Sequence, residues 1–113
     1  MLRFHLAICL IACTAVSSLA QLRIATWNVT QYTSGRVSEF QTAIYGEFSG
    51  RSFQPDVLIA QEFINAASLT NFRNLMNGAV GSPGDWAVAP FIDGTDTESA
   101  FFYRTSKVQY LGT

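Results

Sequence analysis

The chain has 113 residues, room for one domain at most. Seven Lys and Arg stand against eight Asp and Glu, so there is no general basic footprint for nucleic acid, although a local one is not forbidden. Both cysteines (Cys9, Cys13) and the single histidine (His5) fall within the first twenty residues.

Those twenty, "MLRFHLAICLIACTAVSSLA", read as a secretory signal peptide: Arg3 begins it, Leu6 to Val16 form its apolar run, and Ser18-Leu19-Ala20 is a small-x-small cleavage site. The run falls short of the roughly 20 residues a stable membrane span needs. Cleavage before Gln21 yields a secreted or periplasmic protein comprising residues 21–113. The alternative is a lipoprotein anchored through Cys13, since "LIAC" loosely resembles a lipobox. The mature chain then has neither Cys nor His. Disulfides, zinc held by thiolate or imidazole, and a histidine base are all excluded. Any metal site must be built from oxygen ligands, which suits Mg²⁺, Mn²⁺ or Ca²⁺.

The segment "LRIATWNV" (22–29) is rich in β-favouring residues and predicts a strand. Val37, Phe40, Ile44 and Phe48 follow at helical spacing, with Ser34 as the expected N-cap and Gly50 as the stop. Pro55 introduces a second strand, 56–62, that runs apolar until it ends on Gln61 and Glu62. Ser68 is the expected cap of a second helix, which carries Leu69, Phe72, Leu75 and Met76 and stops at Gly78. "WAVAPFI" (86–92), "SAFFYR" (99–104) and "VQYL" (108–111) predict three more strands. The order β-α-β-α-β-β-β predicts an α/β fold whose first two strands are parallel through a crossover helix. Their polar ends, Asn28 and Glu62, then share one rim, where α/β sheets tend to bind ligands.

Taken singly, each polar residue has an ordinary explanation. Glu62 and Glu98 are solvated charges, and Asn28 is a turn former or, in Asn28-Val29-Thr30, a glycosylation sequon awkwardly placed at a strand end. Trp27, Phe101, Phe102 and Tyr103 read as hydrophobic core. Taken together, "LRIATWNV", "PDVLIAQE" and "ESAFFYRTSKVQYL" resemble, in that order, the N-terminal portion of the endonuclease/exonuclease/phosphatase (DNase I-like) superfamily. That family includes nucleases, sphingomyelinases and inositol polyphosphate phosphatases. The resemblance implies that Glu62 binds the divalent metal and that Asn28 orients the metal site and a phosphate oxygen. It further implies that Glu98 orients a catalytic histidine. Ile64 stands where some DNase I-like nucleases carry an arginine that contacts nucleic acid, which weakens a DNA-specific reading.

The resemblance implies a divalent-metal-dependent phosphoesterase acting on a phosphate-ester substrate. The family's "GDFN"-like and "SDH"-like motifs, which supply its base, acid and further metal ligands, do not occur between residues 63 and 113. The expectation is therefore a truncated front portion, a partial α/β sandwich lacking the C-terminal half. Such a portion would be inactive alone and would hold Mg²⁺ (or Mn²⁺) only weakly. The alternative is a non-catalytic exported α/β binding module that keeps half of the fold. N-terminal sequencing of the exported protein should begin at Gln21; a diacylated Cys13 would establish the lipoprotein alternative.

Overall fold

The computed structural model describes residues 21–112, so the signal peptide, His5 and both cysteines lie outside the described residues. The elements are β1 (Ile24–Tyr32), α1 (Val37–Tyr45), β2 (Glu47–Phe48), β3 (Arg51–Ser52), β4 (Val57–Phe63), α2 (Ala66–Asn77), β5 (Trp86–Val88) and β6 (Glu98–Arg104). The fold is α/β. A four-stranded sheet has the order β1-β4-β6-β5, and β2-β3 form a separate two-stranded ribbon. β1 runs parallel to β4, with Ile24 opposite Val57 and Asn28 opposite Gln61. β6 pairs antiparallel with both β4 and β5. No helix among the described residues is long and apolar enough to cross a membrane.

Side chains alternate across a strand, so the sheet has two faces with different fates. Leu58, Ala60, Ala100 and Phe102 point to the face that α1 and α2 cover and are buried there. Phe40 and Ile44 from α1 meet Leu69, Phe72, Leu75 and Met76 from α2 on that side. Its centre is aromatic: Tyr32, Phe40, Phe63 and Phe72 pack edge to face at centroid separations of 5.1–5.8 Å. This is the geometry that ring quadrupoles favour. The Tyr45 hydroxyl pins the layer together, donating to the Met76 carbonyl (3.0 Å) and accepting from the Trp86 indole N–H (2.8 Å). Asn77 completes α2 by pairing with both main-chain polar groups of Trp86.

The opposite face carries Ile24, Ile59, Phe101 and Tyr103, with no helix over it among the described residues. Ile24 is 62% exposed. Phe101 and Tyr103 stack at 5.7 Å, and Tyr110 lies over Tyr103 at 5.9 Å. Of the four aromatics expected in the core, Phe102 is fully buried. Trp27, Phe101 and Tyr103 are half-buried; Trp27 rests edge-on against Phe40 and Phe53.

Several boundaries differ from the sequence reading, each for a local reason. α1 ends at Gly46, not Gly50, because Ser49 (φ 53°) and Gly50 (φ 72°) form the two left-handed positions of the β2-β3 turn. Phe48 therefore leaves the helical stripe and is exposed. The residue flanking the start of α1 is Arg36, itself left-handed (φ 47°), not Ser34. α2 is capped by Asn65, and Ser68 is the reciprocal member of its capping box. β5 stops at Val88, two residues before Pro90, which has no N–H to continue the ladder. Residues 108–111 form no strand, since the turn after β6 sends them across the open face, where Tyr110 stacks.

Arg104, Asp85 and Asp56 tie three strand ends together. The Arg104 guanidinium reaches Asp85 at 2.9 Å and Asp56 at 3.4 Å, while Asp56 also accepts the Arg23 N–H at 3.0 Å. Hydrogen bonding from Arg104 lowers the Asp85 carboxyl from 3.8 to about 2, with further help from Ser106 and against some burial. A depressed folded value means that the stabilisation is complete above pH 4 and is lost as pH falls through about 2. Denaturant titrations should therefore lose about 1–2 kcal/mol across that window, allowing for partial exposure of the pair. Asp85→Asn should flatten this acid arm; an unchanged arm would show that the pair does not control it.

The uncovered face generates a second expectation. An apolar sheet face left open promotes association. The isolated protein should bind a hydrophobic dye and self-associate in size-exclusion chromatography, and a double variant Ile24→Lys, Phe101→Thr should do both less. A dye-silent monomer would show that the face is covered in solution.

Candidate functional site

Strict alternation along β4 would send Glu62 into the core after Leu58 and Ala60. The structure avoids this by breaking the register. Between Gln61 and Phe63, β4 has one residue where β1 has three, Val29 to Gln31. On its other side, β4 has two residues, Gln61 and Glu62, opposite the single Ser99 of β6. Glu62 sits at the break with φ 68°. The phase shifts by one residue, so that Phe63 takes the core position and is fully buried. Glu62 is turned out to the rim, half-buried. The same shift on β1 buries both Val29 and Tyr32, which are three residues apart. Bulges of this kind re-aim side chains, often beside active sites.

Both oxygens of Glu62 are held. Asn28 Nδ2 donates to Oε1 at 2.7 Å, and the Gln31 main-chain N–H donates to Oε2 at 3.1 Å. The Asn28 amide is oriented by its partners, since its Oδ1 accepts the Thr30 N–H at 2.9 Å. The Val29 carbonyl accepts from Arg36 Nη2 at 3.0 Å, and that guanidinium lies 4.8 Å from the Phe40 ring centroid. A carboxylate with one donor on each oxygen keeps further lone pairs free for a cation or another donor.

Glu98 stands at the same end of the sheet, opposite Phe63 at the start of β6. Its carboxylate turns to its own loop, where Oε1 accepts the Gly94 N–H at 2.8 Å. A Cβ at position 94 would lie 2.8–3.0 Å from the two Glu98 oxygens, so a larger residue there would make the Glu98 carboxylate shift. The topology thus brings Asn28, Glu62 and Glu98 to one rim, and hydrogen bonds join the first two. Ile64 lies just beyond the rim, 40% exposed.

One hydrogen-bond donor at the rim was not visible in the sequence: the main-chain N–H of Gln31. Left-handed positions are usually marked by Gly or Asn, yet here Thr30 (φ 54°) and Gln31 (φ 46°) adopt them. Among the described residues, no group of three or more His, Cys, Asp or Glu could hold a metal ion. The oxygens that the hydrogen-bonded pair offers are the Glu62 carboxylate and the remaining lone pair of Asn28 Oδ1. Both are hard oxygens of the kind Mg²⁺ and Mn²⁺ accept, and they leave most coordination positions to water or other groups.

No family model matches the sequence, and no solved structure matches it. A protein named deoxyribonuclease from Thioalkalivibrio sp. (strain K90mix) is 32% identical over 111 residues, a stretch covering 94% of this chain and 28% of that protein. The chain spans less than a third of that relative's length.

Proposed function

We propose that this chain is the front portion of an exported, divalent-metal-dependent phosphoesterase, with Glu62 as the carboxylate that anchors the cation. The observation that carries this reading is the ejection of Glu62 from an apolar strand, together with the donor placed on each of its oxygens. A solvated charge at a strand end requires neither. The resemblance to the endonuclease/exonuclease/phosphatase family supports the reaction class, and the relative named deoxyribonuclease favours a nucleic-acid phosphodiester as substrate.

In this reading Asn28 keeps Glu62 in one rotamer and lends its amide to the cation's surroundings or to a phosphoryl oxygen. Glu98 fixes the β5-β6 loop at the mouth of the site and is placed to orient a group supplied from elsewhere. A bound Mg²⁺ or Mn²⁺ would supply positive charge for the phosphoryl and leaving oxygens. The proton-transfer groups and further acidic ligands come from polypeptide outside residues 21–113, and that polypeptide also covers the open sheet face. A second reading, a non-catalytic exported α/β binding module, is favoured by one observation: among the described residues no acidic cluster accompanies Glu62.

The test is phosphodiester hydrolysis with Mg²⁺ or Mn²⁺ against an EDTA control. Two proteins are compared: this chain alone, and a chimera in which residues 21–113 replace the matching part of the Thioalkalivibrio protein. The chain alone should show no turnover above background, while the chimera should be active and EDTA-sensitive. In the chimera Glu62→Gln should cut turnover by about 10²-fold or more, and Asn28→Ala by less. EDTA-insensitive activity, or an unchanged rate in Glu62→Gln, would overturn the assignment of Glu62. A chimera that folds but never turns over would move the weight to the binding module.

A further inference from the structure

The rim holds three non-glycine residues in the left-handed region within one small area: Thr30, Gln31 and Glu62, at φ 54°, 46° and 68°. Side chains disfavour this region, and a β-branched residue such as Thr30 disfavours it most. Conformations of this kind persist only where the surroundings over-determine them, and they gather at functional sites. Here the surroundings are identifiable. Arg36 holds the Val29 carbonyl from outside, and Asn28 Oδ1 holds the Thr30 N–H. Tyr32 is buried just beyond, closing the bulge against the core.

We propose that the left-handed Thr30–Gln31 pair is a positioning device for the cation site, in which the Gln31 main-chain N–H holds Glu62 Oε2 while Asn28 holds Oε1. This rests on the reading of Glu62 as the cation's carboxylate and adds Gln31 to it as a positioning residue. In an extended β1 the amides of residues 30 and 31 would follow the strand. The two left-handed residues instead turn successive N–H groups toward the rim, one to Asn28 and one to Glu62. With a donor on each oxygen, the carboxylate loses its torsional freedom before any cation arrives. The Gln31 side chain has no part in this; only its backbone does.

That division makes the device testable in the full chain, with Mn²⁺ alone as the probe and paramagnetic line broadening as the readout. Replacing the Gln31 residue by its α-hydroxy acid exchanges the N–H for an ester oxygen and leaves the side chain intact. Loss of such an orienting hydrogen bond should weaken Mn²⁺ binding by about 10-fold. Gln31→Ala, which retains the N–H, should bind Mn²⁺ as the wild type does. Amide exchange of Gln31 should be protected in the wild type and lose that protection in Glu62→Ala. An ester variant with unaltered Mn²⁺ binding, or a Gln31 amide that exchanges freely in the wild type, would overturn the proposal. If Mn²⁺ binds Glu62→Gln as tightly as the wild type, the metal role of Glu62 is what fails, and the exchange measurement still decides whether the clamp exists.

Discussion

A β-strand shows its side chains to two faces in strict turn, and the layout of this molecule follows from where that alternation is kept and where it is broken. Through most of β1, β4 and β6 it is kept. Leu58, Ala60, Ala100 and Phe102 face the helices, and Ile59, Phe101 and Tyr103 face away. At the end of β4 it is broken once, at Glu62, and the same interruption satisfies two opposed demands. Phe63 is needed in the aromatic centre, and a carboxylate cannot be placed there without a partner, because a buried unpaired charge is prohibitively costly. A single left-handed residue settles both, at a conformational cost on the order of 1–3 kcal/mol.

The aromatic centre and the rim are therefore parts of one arrangement. Phe63 and Tyr32 enter the core immediately after the bulges and meet edge to face at 5.8 Å. Tyr32 also meets Phe40 and Phe72, so both helices help fix the strand ends that carry Asn28 and Glu62. At the far end of the sheet, Arg104 with Asp56 and Asp85 fixes the start of β4 against the end of β6. The sheet is thus held at both ends.

Much of this was legible in the residues, for reasons that also explain the failures. The stripe Val37-Phe40-Ile44 has helical spacing, and two of its three members are buried. Phe48 extends the same spacing but falls after Gly46, and only the turn preference of Ser49-Gly50 argues against it. The parallel pairing of the first two strands followed from the helix between them, and with it the meeting of Asn28 and Glu62. Residues 108–111 have strand composition, but composition does not say whether an edge is free to receive them. The Gln31 amide was hidden for a deeper reason: a main-chain group has no letter in the sequence, and neither Thr nor Gln announces a left-handed backbone.

The bulge on β1 also sets a rule for how this segment can change over evolutionary time. The phase of the strand depends on three residues of β1 standing opposite one of β4. Most side chains in Val29 to Gln31 could be exchanged without altering that count. Loss or gain of one residue would restore the strand's alternation and take Tyr32 out of phase with the aromatic centre it now enters. The segment is thus permissive in identity and strict in length. Its signature across related proteins would be a conserved spacing from the Asn28 position to the Tyr32 position, with variable residues between.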